Sequence, residues 1–186
     1  VGPARVQQVL REALSRGADR AIHIEDDTPG LDPVSTADAL ASALATETVD
    51  LILTGLQSDD MGSGATGVVL AERLGMPHAS IVMEVQVGAD GLRVKRELEG
   101  GWFQWVSMPL PVLLTVQSGI NQLRYATLKG IMAAKKKEIR KVARTGASAT
   151  GLEVISLTTP QRQKETQLLT GTATEMATEL VRRLRD

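Results

Sequence analysis

Helix-like and strand-like patterns alternate along the first half of this chain, and that alternation limits what it can fold into. Apolar residues recur at helical spacing over 4–16 and 34–46, and a further helix is predicted over 68–74. Short apolar strands are predicted between them, at 21–25 and 50–54. Because such alternation builds βαβ units, we expect an open, mainly parallel, Rossmann-like α/β sheet with helices on both faces.

The second half of the chain carries a different pattern. We predict a strand over 80–87, a β-hairpin excursion made of 91–98 and 102–108, an apolar strand over 112–116 and a helix over about 127–142. Residues 144–151 are mostly small, and a last amphipathic helix is predicted over 172–185. We therefore expect an α/β domain over 1–145 and an extended C-terminal arm over 146–186 that ends in a helix.

Composition excludes several classes of function. With a net charge of -1, the chain lacks the basic excess that is typical of nucleic-acid-binding domains. It has no cysteine and two histidines, which excludes disulfides and gives little sign of a metal site. No apolar run approaches the roughly 20 residues that span a bilayer. The chain begins Val1-Gly2-Pro3 and predicts a helix almost at once, so we expect further residues upstream.

A glycine-rich loop, Gly55 to Gly67, is the first candidate site, because it follows a strand and precedes a helix. Ligands of open α/β sheets bind outside the carboxyl ends of the strands, where glycines admit a phosphate and helix N–H groups bind anions. The predicted cofactor-binding residues are Gly55, Gln57, Ser58, Asp60, Gly62, Ser63, Gly64, Ala65 and Thr66. Asp60 is expected either to hold a ribose or to order the loop through its own backbone.

The spacing of this loop fits neither a P-loop nor the dinucleotide-binding GxGxxG pattern. The alternative interpretation is therefore a plain turn in which a Ser or Thr caps the following helix. Residue chemistry alone leaves the two interpretations equally open.

The helix predicted over 127–142 has a cationic end. Its basic residues are Lys135, Lys136, Lys137, Arg140 and Lys141, with Arg144 just beyond. They are either a solvated face that complements the helix C-terminus or a surface that steers an acidic partner. Leu128 is either an ordinary exposed leucine or an apolar anchor surrounded by charges.

Three of the four aromatic residues, Trp102, Phe103 and Trp105, stand close together in the predicted hairpin. They alternate in part, so we expect at least one to face the core, and packing is favoured over an interface. The segment from Trp102 to Val116 is then a scaffold for the loop that follows it.

Several segments make the chain similar to a known family. They are 17–21 (GADRA), 50–57 (DLILTGLQ), Thr66-Gly67, 94–101 (VKRELEGG), 110–112 (LPV), Thr115 and, above all, 124–137 (RYATLKGIMAAKKK). In these segments the chain resembles the beta subunit of electron transfer flavoproteins. The resemblance covers nearly the whole chain, and the block at 124–137 is its most specific part.

The resemblance implies a heterodimer with an alpha subunit, which holds most of one FAD. Such a complex accepts electrons from flavin-containing dehydrogenases, such as acyl-CoA dehydrogenases, and passes them to a quinone oxidoreductase. It works in the bacterial cytoplasm or the mitochondrial matrix. The beta subunit is expected to perform no bond chemistry, to bury AMP in its nucleotide-binding domain and to wrap the alpha subunit with its arm.

The resemblance also implies a set of partner-docking residues, in which Leu128 anchors the flavoprotein in a pocket of the dehydrogenase. They are Tyr125, Ala126, Thr127, Leu128, Ile131, Met132, Lys135 and Lys136. The lysines form the charged border of that surface.

Two departures from the family pattern bear on the nucleotide. The family has a segment ahead of the position of Val1, which supplies sheet strands, part of the nucleotide pocket and an aromatic residue near the flavin. The loop Ser58–Thr66 (SDDMGSGAT) lacks both the Asn-Gln of AMP-binding relatives and the DGDTAQVG string of electron-bifurcating relatives. The absence of that string favours AMP over a second FAD.

Two further hypotheses come from other classes of protein. One is a stand-alone adenine-nucleotide sensor of the universal-stress type, which shares this α/β architecture and needs no alpha subunit. The other is a hydrolase on the same fold, which the absence of a convincing nucleophile–base pair disfavours.

Overall fold

The predicted alternation of helices and strands is present along the chain. A computed structural model describes residues 1–27, 32–144, 155–161 and 166–185. In chain order its elements are a 3-10 turn Ala4–Val6, α1 Gln7–Ser15, β1 Ala21–Glu25, α2 Pro33–Leu44, β2 Leu51–Gly55, α3 Thr66–Leu74, β3 His78–Gly88, β4 Gly91–Glu97, a 3-10 turn Glu99–Gly101, β5 Phe103–Met108, β6 Val112–Val116, α4 Leu128–Lys136, β7 Ile139–Ala143 and α5 Ala173–Arg185.

Within the described residues, the strands form two sheets. β1 pairs in parallel with β7, and Gly2 adds an isolated parallel bridge to Glu25. The larger sheet has the order β2-β6-β3-β4-β5, in which β2, β6 and β3 are parallel and β4 and β5 form the antiparallel hairpin. The open, mainly parallel α/β fold with a hairpin excursion is therefore confirmed.

Strand β6 is the centre of the larger sheet. Its residues from Val112 to Thr115 are fully buried, because strands pack on both of its edges and Leu113 also packs against α2 and α3. A continuous apolar run is what a doubly covered parallel strand requires. Helix α2 joins the two sheets, since Ala37 contacts the cluster around Leu113 while Ala39 and Ala43 contact Ile24 of β1.

Strand β3 changes partner along its length. It pairs in parallel with β6 at His78 and Ala79 and, across a bulge, again at Val82; from Val82 to Gly88 it pairs antiparallel with β4. Within the bulge, Ile81 has a φ of 58°, and its N–H donates to the hydroxyl of Thr115 at 3.3 Å. A β-branched residue rarely adopts a positive φ, so the bulge stores backbone strain at the carboxyl end of the sheet.

The prediction of a helix over 127–142 is wrong for the second half of that range. Helix α4 ends at Lys136, and residues 139–143 form β7, which pairs in register with β1 from Ala21 to Glu25. Ile139 and Val142 are spaced as on a helix, but pairing with the edge of β1 satisfies this segment's backbone instead. Arg140 and Lys141 therefore belong to a strand.

Strand β2 is less covered than its apolar sequence predicts. Leu51 and Leu53 are 36% and 57% exposed, whereas Ile52 packs into the cluster around Leu113. The reason is that β2 is an edge strand in the described residues, paired to β6 alone and covered on one face.

The expectation that a hairpin aromatic faces the core is also wrong. Trp102, Phe103 and Trp105 are 74%, 47% and 37% exposed. The core face of β5 carries Met108 instead, and the rings of Phe103 and Trp105 pack on cations of the neighbouring strand β4. The Lys95 ammonium lies 4.2 Å from the centre of the Phe103 ring, and the Arg93 guanidinium lies 4.7 Å from that of Trp105.

The chain divides into two compact units, Val1–Glu153 and Val154–Asp186. The predicted boundary between 145 and 146, and the small-residue segment at 145–151, lie outside the described residues. In the second unit, α5 confirms the predicted terminal helix; it starts beside Thr172, whose N–H donates to the Glu175 carboxylate at 2.8 Å. Its exposed apolar residues include Leu180, Val181 and Leu184.

Candidate functional site

The glycine-rich loop turns the chain from β2 into α3. Gly62 and Gly64 both have a φ of 60°, a conformation that glycine adopts without steric cost. Gly67 lies in the first turn of α3, where a Cβ would come within 2.4 Å of the Thr54 hydroxyl and 2.7 Å of a Thr115 methyl. Glycine therefore lets α3 begin directly against the ends of β2 and β6.

A cavity of about 470 Å³ lies between this loop and α2. Of the nine predicted cofactor-binding residues, it is lined by all except Asp60 and Gly62: Gly55, Gln57, Ser58, Ser63, Gly64, Ala65 and Thr66. Further lining residues are Pro33, Thr36 and Leu40 of α2, together with Thr54, Leu56 and Met61. The volume is within the range of small-molecule sites, roughly 300–1,000 Å³.

The helix that follows the loop begins without a side-chain cap. Its N-cap residue is Ala65, and no side chain accepts a hydrogen bond there, so the plain turn capped by Ser or Thr is not what forms. The first N–H groups of α3 are accordingly available to a ligand at the positive end of the helix dipole.

Thr54 also lines the cavity and carries a polar group of its own. Its hydroxyl oxygen is buried and has no hydrogen-bond partner within the described part of the chain. A buried, unpaired hydroxyl is unfavourable by itself and pairs readily with a ligand atom. This residue was missed by sequence reasoning, although its position near the carboxyl end of a strand was a usable signal.

Asp60 orders the loop through its backbone. Its carboxylate accepts a hydrogen bond from the N–H of Met61 at 2.8 Å. A hydrogen bond from the Ser58 side chain, followed by backbone N–H donors at Met61 and Asp60 itself, lowers the pKa of this carboxyl below its ordinary 3.8. Of the two expectations for Asp60, the geometry fits loop ordering, because the residue does not line the cavity.

The second candidate surface is the segment before and at the start of α4. Thr127 is the N-cap, and its hydroxyl accepts from the N–H of Gly130 at 3.0 Å. This cap starts the helix at Leu128, which is 84% exposed. Tyr125, Ile131 and Met132 are also exposed, as is Leu123, which sequence reasoning did not select.

The remaining predicted docking residues border this apolar group. Ala126 is half-buried beside a groove between α1 and α4, while Lys135 and Lys136 are exposed at the end of α4. We refer to residues 125–136 as the docking segment, after the role that the sequence predicts for them.

The basic cluster is smaller than the sequence predicts. Arg140 pairs with Glu47, Lys141 with Glu25 at 3.1 Å, and Arg144 with Asp26 at 2.6 Å. Three of the six cations are thus neutralised by acidic residues around β1 and α2. Of the predicted cluster, Lys135 and Lys136 remain exposed beside the docking segment's apolar residues.

Within the described residues, no group of three or more His, Cys, Asp or Glu side chains is placed to hold a metal ion. None of the helices in the described ranges has the length and apolar character that a membrane crossing requires.

Comparison with known proteins assigns the family. A model of the electron transfer flavoprotein domain matches residues 1–147. An electron transfer flavoprotein subunit beta from Methylophilus methylotrophus is 35% identical over 193 residues, which cover 97% of this chain and 73% of that protein. The human subunit beta is 37% identical over 191 residues, covering 100% of this chain and 72% of that protein.

A subunit beta from Mycobacterium bovis is 40% identical over 140 residues, which cover 74% of this chain and 52% of that protein. These relatives come from bacteria and from a mammal, and all are electron transfer flavoprotein beta subunits. The chain belongs to the electron transfer flavoprotein family and groups with its beta subunits.

Proposed function

We propose that this chain pairs with an alpha subunit and carries electrons from flavin-containing dehydrogenases of the acyl-CoA dehydrogenase type towards a quinone oxidoreductase. The observation that carries the proposal is the exposed apolar group at the start of α4. Leu128 is 84% exposed and Met132 is 62% exposed, beside Lys135 and Lys136. An apolar anchor within a charged border is typical of a docking site.

In this proposal the chain performs no bond chemistry. The flavin, held mostly by the alpha subunit, supplies the redox chemistry of the complex. Residues of this chain bind, orient and dock: the start of α4 enters an apolar pocket of the dehydrogenase, and its lysines face acidic residues there. The amphipathic α5 belongs to the arm that we assign to the alpha subunit, in a complex of the bacterial cytoplasm or mitochondrial matrix.

The docking assignment is tested with Leu128→Ala in the purified heterodimer. Flavin reduction is followed with an acyl-CoA dehydrogenase that has been reduced by its thioester substrate. Loss of an interface anchor lowers kcat/KM at least about tenfold while flavin content is retained. Val87→Ala is the matched control, because Val87 is an apolar residue with 82% exposure on β3. A wild-type rate for Leu128→Ala would overturn the docking assignment.

We also propose that the cavity beside the glycine-rich loop holds AMP. The unpaired Thr54 hydroxyl and the uncapped start of α3 suit the polar part of a nucleotide. Pro33 and Leu40 of α2 provide an apolar wall. These groups fit AMP and equally the adenylate part of a second FAD. The missing DGDTAQVG string favours AMP.

Mass spectrometry of nucleotides released on denaturation tests this ligand. One FAD and one AMP per heterodimer is the expected result. Two FAD and no AMP would replace AMP with a second FAD at the same cavity and indicate an electron-bifurcating member.

A further inference from the structure

Helix α4 is held on α1 by contacts at both of its ends, and those farther from Leu128 involve two cations. It has nine residues, a length at which an isolated helix is marginal in water, so its direction depends on tertiary contacts. Leu128 is its first residue, and the helix extends about 12 Å from there to Lys136. Exposed Leu128 and Met132 contribute little to holding it.

Arg11 of α1 supplies one of those contacts. Its Nη1 donates to the carbonyl oxygen of Ala134 at 2.5 Å and to that of Lys137 at 2.6 Å. The last carbonyls of a helix lack intrahelical partners and form the negative end of its dipole. A half-buried guanidinium therefore caps α4 at its C-terminus.

Lys137 supplies the reciprocal contact. It follows α4 directly, and its ammonium donates to the carbonyl oxygen of Leu14 at 3.4 Å and to that of Ala18. These carbonyls lie at and just beyond the C-terminal end of α1. Arg11 of α1 thus caps α4, and Lys137, the residue after α4, caps α1, so two cations link the C-terminal ends of the helices.

Gly130 sets how closely the helices approach. A Cβ at this position would lie 2.5 Å from the backbone oxygen of Ser15, so the first turn of α4 touches the end of α1. Ala134, 3% exposed, fills the interface one turn further on. With the first turn in contact and both C-termini capped, α4 has one orientation on α1.

We propose that Arg11 and Lys137 are positioning residues for dehydrogenase docking. Their reciprocal caps fix the direction in which α4 presents Leu128, while they act on the opposite end of the helix. This inference rests on the proposed docking function, and it adds residues outside the docking segment to it. Pre-organising a short anchor-bearing helix raises affinity, because less conformational freedom is lost on binding.

The test uses heterodimers carrying Arg11→Met or Lys137→Met, which keep an unbranched apolar side chain and remove the cation. Flavin reduction by a thioester-reduced acyl-CoA dehydrogenase is measured at varied flavoprotein concentration. We expect KM for the flavoprotein to rise about tenfold with kcat changed less than about twofold. Arg11→Lys and Lys137→Arg should recover part of the affinity, since one cation still reaches a carbonyl.

Arg73→Met and Lys141→Met are matched controls. Arg73 of α3 pairs with Asp38 of α2, and Lys141 of β7 pairs with Glu25 of β1, so neither ion pair includes a residue of α4. Each control removes a cation from an exposed ion pair and should leave KM unchanged.

The combination with Leu128→Ala separates positioning from general destabilisation. If the caps act through Leu128, Arg11→Met adds little to KM in a Leu128→Ala background. An equal rise in both backgrounds would overturn the inference, because it would reflect a general effect.

Two outcomes distinguish this inference from the proposed function. Wild-type KM for the Met variants, with a raised KM for Leu128→Ala, would reject the positioning role and keep the docking role. Wild-type KM for Leu128→Ala would reject the docking role itself. Where a Met variant loses its flavin, Arg11→Lys and Lys137→Arg decide the test: we expect their KM to exceed that of the wild type by less than about tenfold, and a wild-type KM would reject the positioning role.

Discussion

Glu47 and Arg140 form an ion pair that ties the segment after α2 to strand β7. The Glu47 side chain is only 8% exposed, and its second oxygen accepts from Arg20 at 2.5 Å. A carboxylate this buried requires its cations, so the pairing of β7 with β1 is stabilised by charge as well as by backbone hydrogen bonds. The strand register and the ion pair depend on each other.

Glu47→Gln should therefore destabilise the protein. The amide keeps the shape but leaves Arg20 and Arg140 without their carboxylate, which we expect to cost about 2 kcal/mol. Urea unfolding followed by circular dichroism measures this. Arg20→Met is the control; Arg20 is 64% exposed, and losing an exposed partner should cost under about 1 kcal/mol. Equal stability of Glu47→Gln and wild type would contradict the assignment.

Thr127→Ala should weaken the start of α4. It removes the hydroxyl that accepts from the Gly130 N–H, and the loss of an N-cap costs about 1 kcal/mol. Thr127→Ser keeps the oxygen and should restore stability, which thermal unfolding can measure. If Ser and Ala behave alike, the hydroxyl does not act as the cap.

Gly67→Ala should destabilise despite improving helix propensity. The added Cβ would clash with Thr54 and with Thr115, which is fully buried. Overpacking of this kind costs about 1–3 kcal/mol, against a propensity gain of about 1 kcal/mol. Gly55→Ala is the control, since a Cβ there meets nothing within 4 Å. Denaturant midpoints that rise for Gly67→Ala would refute the close contact.

Thr54→Val should separate stability from ligand binding. The isosteric methyl replaces an unpaired buried hydroxyl, so stability without nucleotide should stay equal or rise. Affinity for AMP should fall about tenfold if that hydroxyl binds the ligand, as measured by calorimetry on nucleotide-free heterodimer. Unchanged affinity would remove Thr54 from the nucleotide site.

Glu179 on α5 should titrate far below an ordinary glutamate. Hydrogen bonds from Arg182 and then Arg183 lower its pKa from 4.5 to about 2. A depressed pKa in the folded state means that its contribution to α5 is present above pH 4.5 and is lost as the pH falls towards 2. Carbon-detected NMR of the carboxyl follows this titration.

The paired variant Arg182→Gln with Arg183→Gln is the control for that titration. It should return the Glu179 pKa towards 4.5. A wild-type carboxyl that already titrates near 4.5 would show that the two arginines do not hold it.

Local patterns predicted most elements because their signals lie within a few residues. The strand 21–25 and the strand 112–116 match the observed bounds, and Gly75 ends α3 with a φ of 63° as a helix-stop glycine should. Strand β7 was missed because its partner β1 is far away in sequence. Charge complementarity between Arg140 and Glu47 becomes visible only when that pairing is known.

In the candidate site, too, local features were predictable and contacts between distant residues were not. The glycine-rich loop was predictable from its composition and position, and seven of the nine predicted residues line the cavity. The wall provided by α2, including Pro33 and Leu40, was not predictable, because it depends on how α2 packs over the end of β2. The role of Arg11 likewise depends on contact between helices that lie over 100 residues apart.

The cation-stacked hairpin also makes this protein easy to observe. Its two tryptophans, Trp102 and Trp105, both belong to that region, so intrinsic tryptophan fluorescence reports on the hairpin alone. The docking segment and the glycine-rich loop contain no tryptophan and do not contribute to the same spectrum. Tryptophan fluorescence can therefore follow the unfolding of the hairpin, while circular dichroism follows that of the helices.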